Sequence, residues 1–128
     1  METPAKKTIL VIEDELPAAM ALADMLTQEG FEVLRADNGE DGLKTAFEKH
    51  PDLLLVDIQM PRMNGIQMIK QLRTDPWGAT AKVIILTNLT DLEHVREAIE
   101  ESTFHYFIKG DTSMDKIVES IREQLAVK

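Results

Sequence analysis

Leu53-Leu54-Leu55-Val56-Asp57 decides how this chain folds: four aliphatic residues in a row, then one carboxylate. A strand with one wet face alternates apolar and polar residues. An unbroken apolar run this short therefore describes a strand covered on both faces, the habit of a parallel sheet. Two more runs share the form: Ile9-Leu10-Val11-Ile12 before Glu13-Asp14, and Val83-Ile84-Ile85-Leu86 before Thr87. Weaker signals at residues 31–35, which alternate, and at residues 104–108, which are aromatic and β-branched, bring the expected total to five strands.

Between the strands the apolar spacing changes to that of helices. Met114, Ile117, Val118, Ile121 and Leu125 recur at the interval of one helix face, and Thr112 with Asp115 resembles a capping box at its start. Leu92, Val95 and Ile99 mark a further helix with an acidic outer face. Residues 16–29 read as a helix ended by Gly30, residues 38–49 as one stopped before Pro51, and residues 65–73 as one capped by Asn64. Strand and helix thus alternate five times. Right-handed crossovers then give a five-stranded parallel sheet with five helices on its two faces, a doubly wound α/β domain spanning residues 1–128.

Composition narrows the function. The 128 residues, 44% of them hydrophobic, suit one globular domain with its own core. No cysteine is present, which excludes disulfides, thiolate metal sites and cysteine nucleophiles. Fourteen Lys and Arg against 23 Asp and Glu leave a net charge of −9, a field that repels nucleic-acid phosphates and anionic membranes. No apolar run reaches the length of a bilayer span, and residues 1–7 are too short and polar for a signal peptide. The expectation is a cytoplasmic, acidic domain that works through proteins or small molecules.

In open α/β sheets, ligands sit beyond the carboxyl ends of the strands. The polar residues found there are Glu13 and Asp14, Asp57, Thr87 and Lys109. Two carboxylates about 5 Å apart at an effective dielectric near 20 repel by about 3 kcal/mol, so a cation has to offset the cluster. Lys109 supplies one positive charge. A hard divalent ion held by oxygens supplies the rest, and Mg2+ suits a few carboxylates with room for water. Carboxylate, metal, ammonium and hydroxyl are the parts that move a phosphoryl group. Asp57, alone at the end of a central strand, reads as the nucleophile, and the Glu13-Asp14 pair as holding the ion. Taken singly, Asp57 is a turn former, Thr87 a cap and Lys109 a solvated charge. Their joint placement is not explained by turn preference.

Glu13-Asp14, the loop Asp57-Ile58-Gln59-Met60-Pro61-Arg62-Met63-Asn64-Gly65, Thr87, and Tyr106-Phe107-Ile108-Lys109 resemble a CheY-like receiver domain of bacterial two-component response regulators over essentially the whole chain. The resemblance implies the strand order 2-1-3-4-5 and a receiver, stand-alone if the 128 residues are the whole protein, that takes a phosphoryl group on Asp57 from a histidine kinase or phosphotransfer protein. Glu13, Asp14, Asp57 and the backbone carbonyl of Gln59 would hold magnesium, while Thr87 and Lys109 would contact the phosphoryl oxygens. Thr87 and Tyr106 would form the switch. The face built from the fourth helix, fifth strand and fifth helix, with His94, Glu97, Glu101 and Lys116, would meet a downstream protein.

The chain departs from the family pattern at Gly110, where proline usually follows the lysine, at Ser102-Thr103 in place of Gly-Ala, and at Asn88. Only the Lys109-Gly110 change favours a phosphorylation-independent interaction module, since such modules typically lack the nucleophile or an acidic residue and this chain keeps them all. A haloacid dehalogenase-type phosphohydrolase would place a second acid at position 59, which is Gln, and a flavodoxin-like phosphate cradle would be repelled by Glu13-Asp14-Glu15. His50, His94 and His105 lack metal-ligand spacing, Trp77 reads as a loop anchor, and the seven methionines read as core filler.

Overall fold

The aliphatic runs form the centre of one parallel sheet. The computed structural model describes residues 6–58, 63–87, 105–108 and 113–126. In it β1 (Thr8–Ile12), β3 (Leu53–Asp57) and β4 (Val83–Thr87) are flanked by β2 (Glu32–Ala36) and β5 (His105–Ile108). The order is β2-β1-β3-β4-β5, with every neighbouring pair parallel. All five residues of β3 and of β4 are buried, whereas the edge strand β2 exposes Glu32 and Arg35.

The unbroken runs exist because each strand feeds two cores. Leu10, Ile12, Leu54, Val56 and Ile85 pack with Leu43, Ala46, Met68, Ile69 and Leu72 from α2 (Gly39–Lys49) and α3 (Gly65–Leu72). The alternate residues Ile9, Val11, Leu53, Leu55, Ile84 and Leu86 pack with Leu22 and Leu26 of α1 (Leu16–Gln28) and Ile117, Val118, Ile121 and Leu125 of α4 (Met114–Leu125). Each fully buried aliphatic side chain contributes roughly 1.5–3 kcal/mol, so neither set tolerates a polar position.

Helix starts follow short polar caps. Pro17 occupies the first turn of α1, where its missing N–H costs nothing. Asn38, 4% exposed, caps α2: its Oδ1 accepts from the Asp41 N–H at 2.8 Å, and its Nδ2 donates to the carboxylates of Asp37 and Asp41. Asn38→Ala is therefore expected to lower the unfolding free energy by about 1 kcal/mol in a urea titration, with an unchanged slope. Asn64 and Gln67 form a reciprocal capping box on α3, as the Asn64 reading requires. The far end of α2 turns at His50 in a left-handed conformation (φ 46°), and its ring stacks on Trp77 at 4.3 Å. Trp77 is indeed a loop anchor.

Three expectations are corrected or displaced. The cap of the last helix is Ser113, not Thr112. The Ser113 hydroxyl accepts from the Lys116 N–H three residues on, so the cap sits one residue later. The methionines are not all core filler: Met68 is fully buried, but Met20 on α1 and Met114 on α4 are 46% and 40% exposed. β2 begins at Glu32, one residue later than expected, because the Phe31 N–H bonds the Leu26 carbonyl and finishes α1. The helix expected around Leu92, Val95 and Ile99, and the Lys109-Gly110 bond, lie outside the described residues. Four α-helices are present among those described, and none is long and apolar enough to cross a membrane.

Candidate functional site

Sheet register builds the site. Ile12 pairs with Val56, so Glu13 and Asp57 leave adjacent strands side by side at the carboxyl edge, and Asp57 in turn pairs with Leu86, the residue before Thr87. Glu13 is fixed by its own backbone N–H, which donates to the Ala36 carbonyl at 3.0 Å, and its Oε2 accepts from the Glu15 N–H at 3.3 Å. One carboxylate oxygen from each of Glu13, Asp14 and Asp57 lies within 4.8 Å of the others. Glu13 and Asp57 are only 2% and 5% exposed, while Asp14 faces solvent. Partial loss of hydration raises the Asp14 pKa from its ordinary value, and Glu13 and Glu15 push it the same way against a backbone hydrogen bond. The cluster is thus an all-oxygen, strongly negative concavity with two dry ligands and one wet one. That donor set suits a hard divalent cation.

Thr87 ends β4, 1% exposed. Tyr106 stands opposite Ile85, two residues before Thr87, and packs half-buried against the same core as Ile85. Thr87 and Tyr106 therefore share one face of the sheet. Of the remaining expected residues, Lys109 and Gln59 lie outside the described residues, as do His94, Glu97 and Glu101, while Lys116 is exposed on α4.

One part of the site escaped the sequence reading. A cleft of about 400 Å³ beside Glu13 and Asp14 is also lined by Arg35, Asp37, Asp41 and Thr45. Asp37 is the first polar residue after β2, so the rule that selected the other strand ends also selects it.

The comparisons bear on the whole arrangement. A model of the response regulator receiver domain matches residues 9–122. Sporulation initiation phosphotransferase F of Bacillus subtilis is 28% identical over 94% of each chain. The polar-differentiation response regulator DivK of Brucella ovis is 29% identical over 93% of this chain and 96% of its own length. A response regulator receiver domain protein from Clostridium thermocellum superposes with a TM-score of 0.86 at 27% identity, over 93% of this chain and 94% of that one.

Proposed function

This chain belongs to the response regulator receiver domain family, and on that footing we propose that Asp57 accepts a phosphoryl group from a histidine kinase or phosphotransfer protein in a magnesium-dependent step. The family works in two-component and phosphorelay signalling as phosphoacceptor domains rather than conventional enzymes.

The cluster of Glu13, Asp14 and Asp57 carries the reading. At 4.8 Å and an effective dielectric near 20, two carboxylates repel by about 3 kcal/mol, a cost that a cation offsets. Glu13, Asp14 and Asp57 would hold the ion, together with the backbone carbonyl of Gln59. When bound, magnesium neutralises charge on the transferring phosphoryl group. Asp57 supplies the nucleophile. One of its carboxylate oxygens forms a bond to phosphorus as the bond from phosphorus to the donor's leaving atom breaks, and that atom keeps the electron pair. Asp57 is the buried carboxylate that ends the central strand β3, whereas Glu13 and the solvent-facing Asp14 form an adjacent pair beyond β1.

Thr87 and Lys109 then receive the phosphoryl oxygens. A hydroxyl drawn toward the new group vacates space on the face it shares with Tyr106, and Tyr106 turns into it. The signal leaves across the surface that contains β5 and α4, with Lys116, to a downstream protein, and the setting is the cytoplasm.

Intact mass after incubation with magnesium and acetyl phosphate tests the proposal. One added phosphoryl group is expected, and none when a chelator is present. Continuous phosphate release with no trapped adduct would favour a hydrolase instead. No adduct from acetyl phosphate or from a histidine kinase would overturn the reading.

A further inference from the structure

The segment that carries Asp57 is held from outside by the start of α2. The Gly39 N–H donates to the Met63 carbonyl at 3.2 Å, and the Gly65 N–H donates to the Ile58 carbonyl at 3.0 Å. These contacts are closed as well as bonded. A Cβ on Gly39 would collide with the Met63 carbonyl oxygen, and a Cβ on Gly65 would stand 2.5 Å from the Asp57 carbonyl oxygen. A line of backbone contacts therefore runs from α2 through Met63 and the first residue of α3 to Asp57 itself. The α2 end of that line is firm. Asn38 is buried and makes three side-chain hydrogen bonds to Asp37 and Asp41, and Leu43 and Ala46 seat the same helix in the core.

We propose that Gly39 is a positioning residue for Asp57, a role that rests on the phosphoacceptor reading. It lets α2 approach Met63 closely enough to set where α3 begins, and the start of α3 sets the backbone of Asp57. No side chain other than hydrogen leaves that approach open. The reacting carboxylate is thus placed by a helix that carries none of the residues assigned to the chemistry. Misplacing a reacting group by about 1 Å costs as much as a hundredfold in rate, so a shift of this kind is large enough to read.

Gly39→Ala compared with Gly42→Ala tests the proposal. The methyl group added at Gly42 meets the Ile12 side chain at Cδ1 (2.7 Å), Cγ1 (3.0 Å) and Cγ2 (3.1 Å), and its three nearest atoms include none of residues 63–65. A purely structural role speeds exchange at amides throughout the chain, whereas a positioning role singles out the Gly65 amide and the rate of adduct formation. The expected result is that Gly39→Ala speeds amide hydrogen exchange at Gly65 and slows adduct formation at saturating acetyl phosphate, each about tenfold, while Gly42→Ala leaves both near wild type. Equal behaviour of the two variants, or wild-type exchange at Gly65 in Gly39→Ala, would overturn it. If Gly39→Ala does not fold, the wild type decides. The Gly39 and Gly65 amides then open together in mild denaturant if the proposal holds, and independently if it does not. A wild type that takes no phosphoryl group sinks the phosphoacceptor reading, whereas the exchange comparison still decides whether Gly39 governs the Asp57 segment.

Discussion

Asp57→Asn is expected to take no phosphoryl group from any donor while folding as the wild type does. The substitution preserves shape at a site that is 5% exposed, so it adds no cavity and no clash. It removes the only property the reaction needs there, a carboxylate oxygen with an electron pair to give to phosphorus. An amide oxygen is a far weaker nucleophile, and no proton transfer restores it. The same change removes one of three charges within 4.8 Å, so it also weakens the demand for a cation. These consequences are separable. In the wild type, magnesium at a hundred times its dissociation constant is expected to raise the unfolding free energy by about 2.7 kcal/mol, read as a higher melting temperature. In Asp57→Asn that gain shrinks because a ligand charge is gone, while Glu13 and Asp14 remain. Intact mass reports the chemistry and thermal melts report the ion. A phosphoryl adduct that persists in Asp57→Asn would move the nucleophile elsewhere, with the solvent-facing Asp14 as the first place to look.

How much of this was legible in the sequence depends on whether side chains or backbone carry the information. Leu53-Leu54-Leu55-Val56 announced a central strand because alternate residues enter two different cores, and no position is left for a polar group. The edge strand was less legible. Phe31 looked like its first residue because it is apolar and buried, yet its N–H belongs to the end of α1 rather than to the ladder. Thr112 and Ser113 present nearly the same hydroxyl one residue apart, and only the bond to the Lys116 N–H separates them. Glu13-Asp14, Asp57 and Thr87 each follow directly on an apolar run, and sheet register brings them to one edge. The rule of the first polar residue after a strand also covers Asp37, but β2 is a weak, alternating strand whose end the sequence does not mark. The contact between Gly39 and Met63 leaves no apolar or charged pattern at all. It joins two backbone segments far apart in the chain, and glycine records only that something passes close by. The stacking of His50 on Trp77 was hidden for the same reason: each ring is unremarkable until the fold brings the two loops together.

Gly65→Ala sets two effects of opposite sign against each other, and the structure decides between them. Gly65 is the first residue of α3, and alanine is the better helix former by about 1 kcal/mol. The cap on that helix does not depend on the side chain, because Asn64 and Gln67 supply it from either side. Propensity alone therefore predicts a more stable protein. Sterics predict the reverse. The added Cβ would lie 2.5 Å from the Asp57 carbonyl oxygen, 3.0 Å from Val56 Cγ1 and 3.1 Å from Ile58 Cα. Two of these three atoms are backbone of the segment that carries the nucleophile, and backbone cannot rotate away as a side-chain tip can. Overpacking of this kind costs about 1–3 kcal/mol, which exceeds the propensity gain. The expected result is a lower urea midpoint with an unchanged slope, together with slower adduct formation, since relief of the clash has to move Asp57. A variant as stable as wild type would mean that α3 can withdraw from β3 without cost. A variant that loses stability but phosphorylates at the wild-type rate would mean that the shift is absorbed at Met63 and never reaches Asp57.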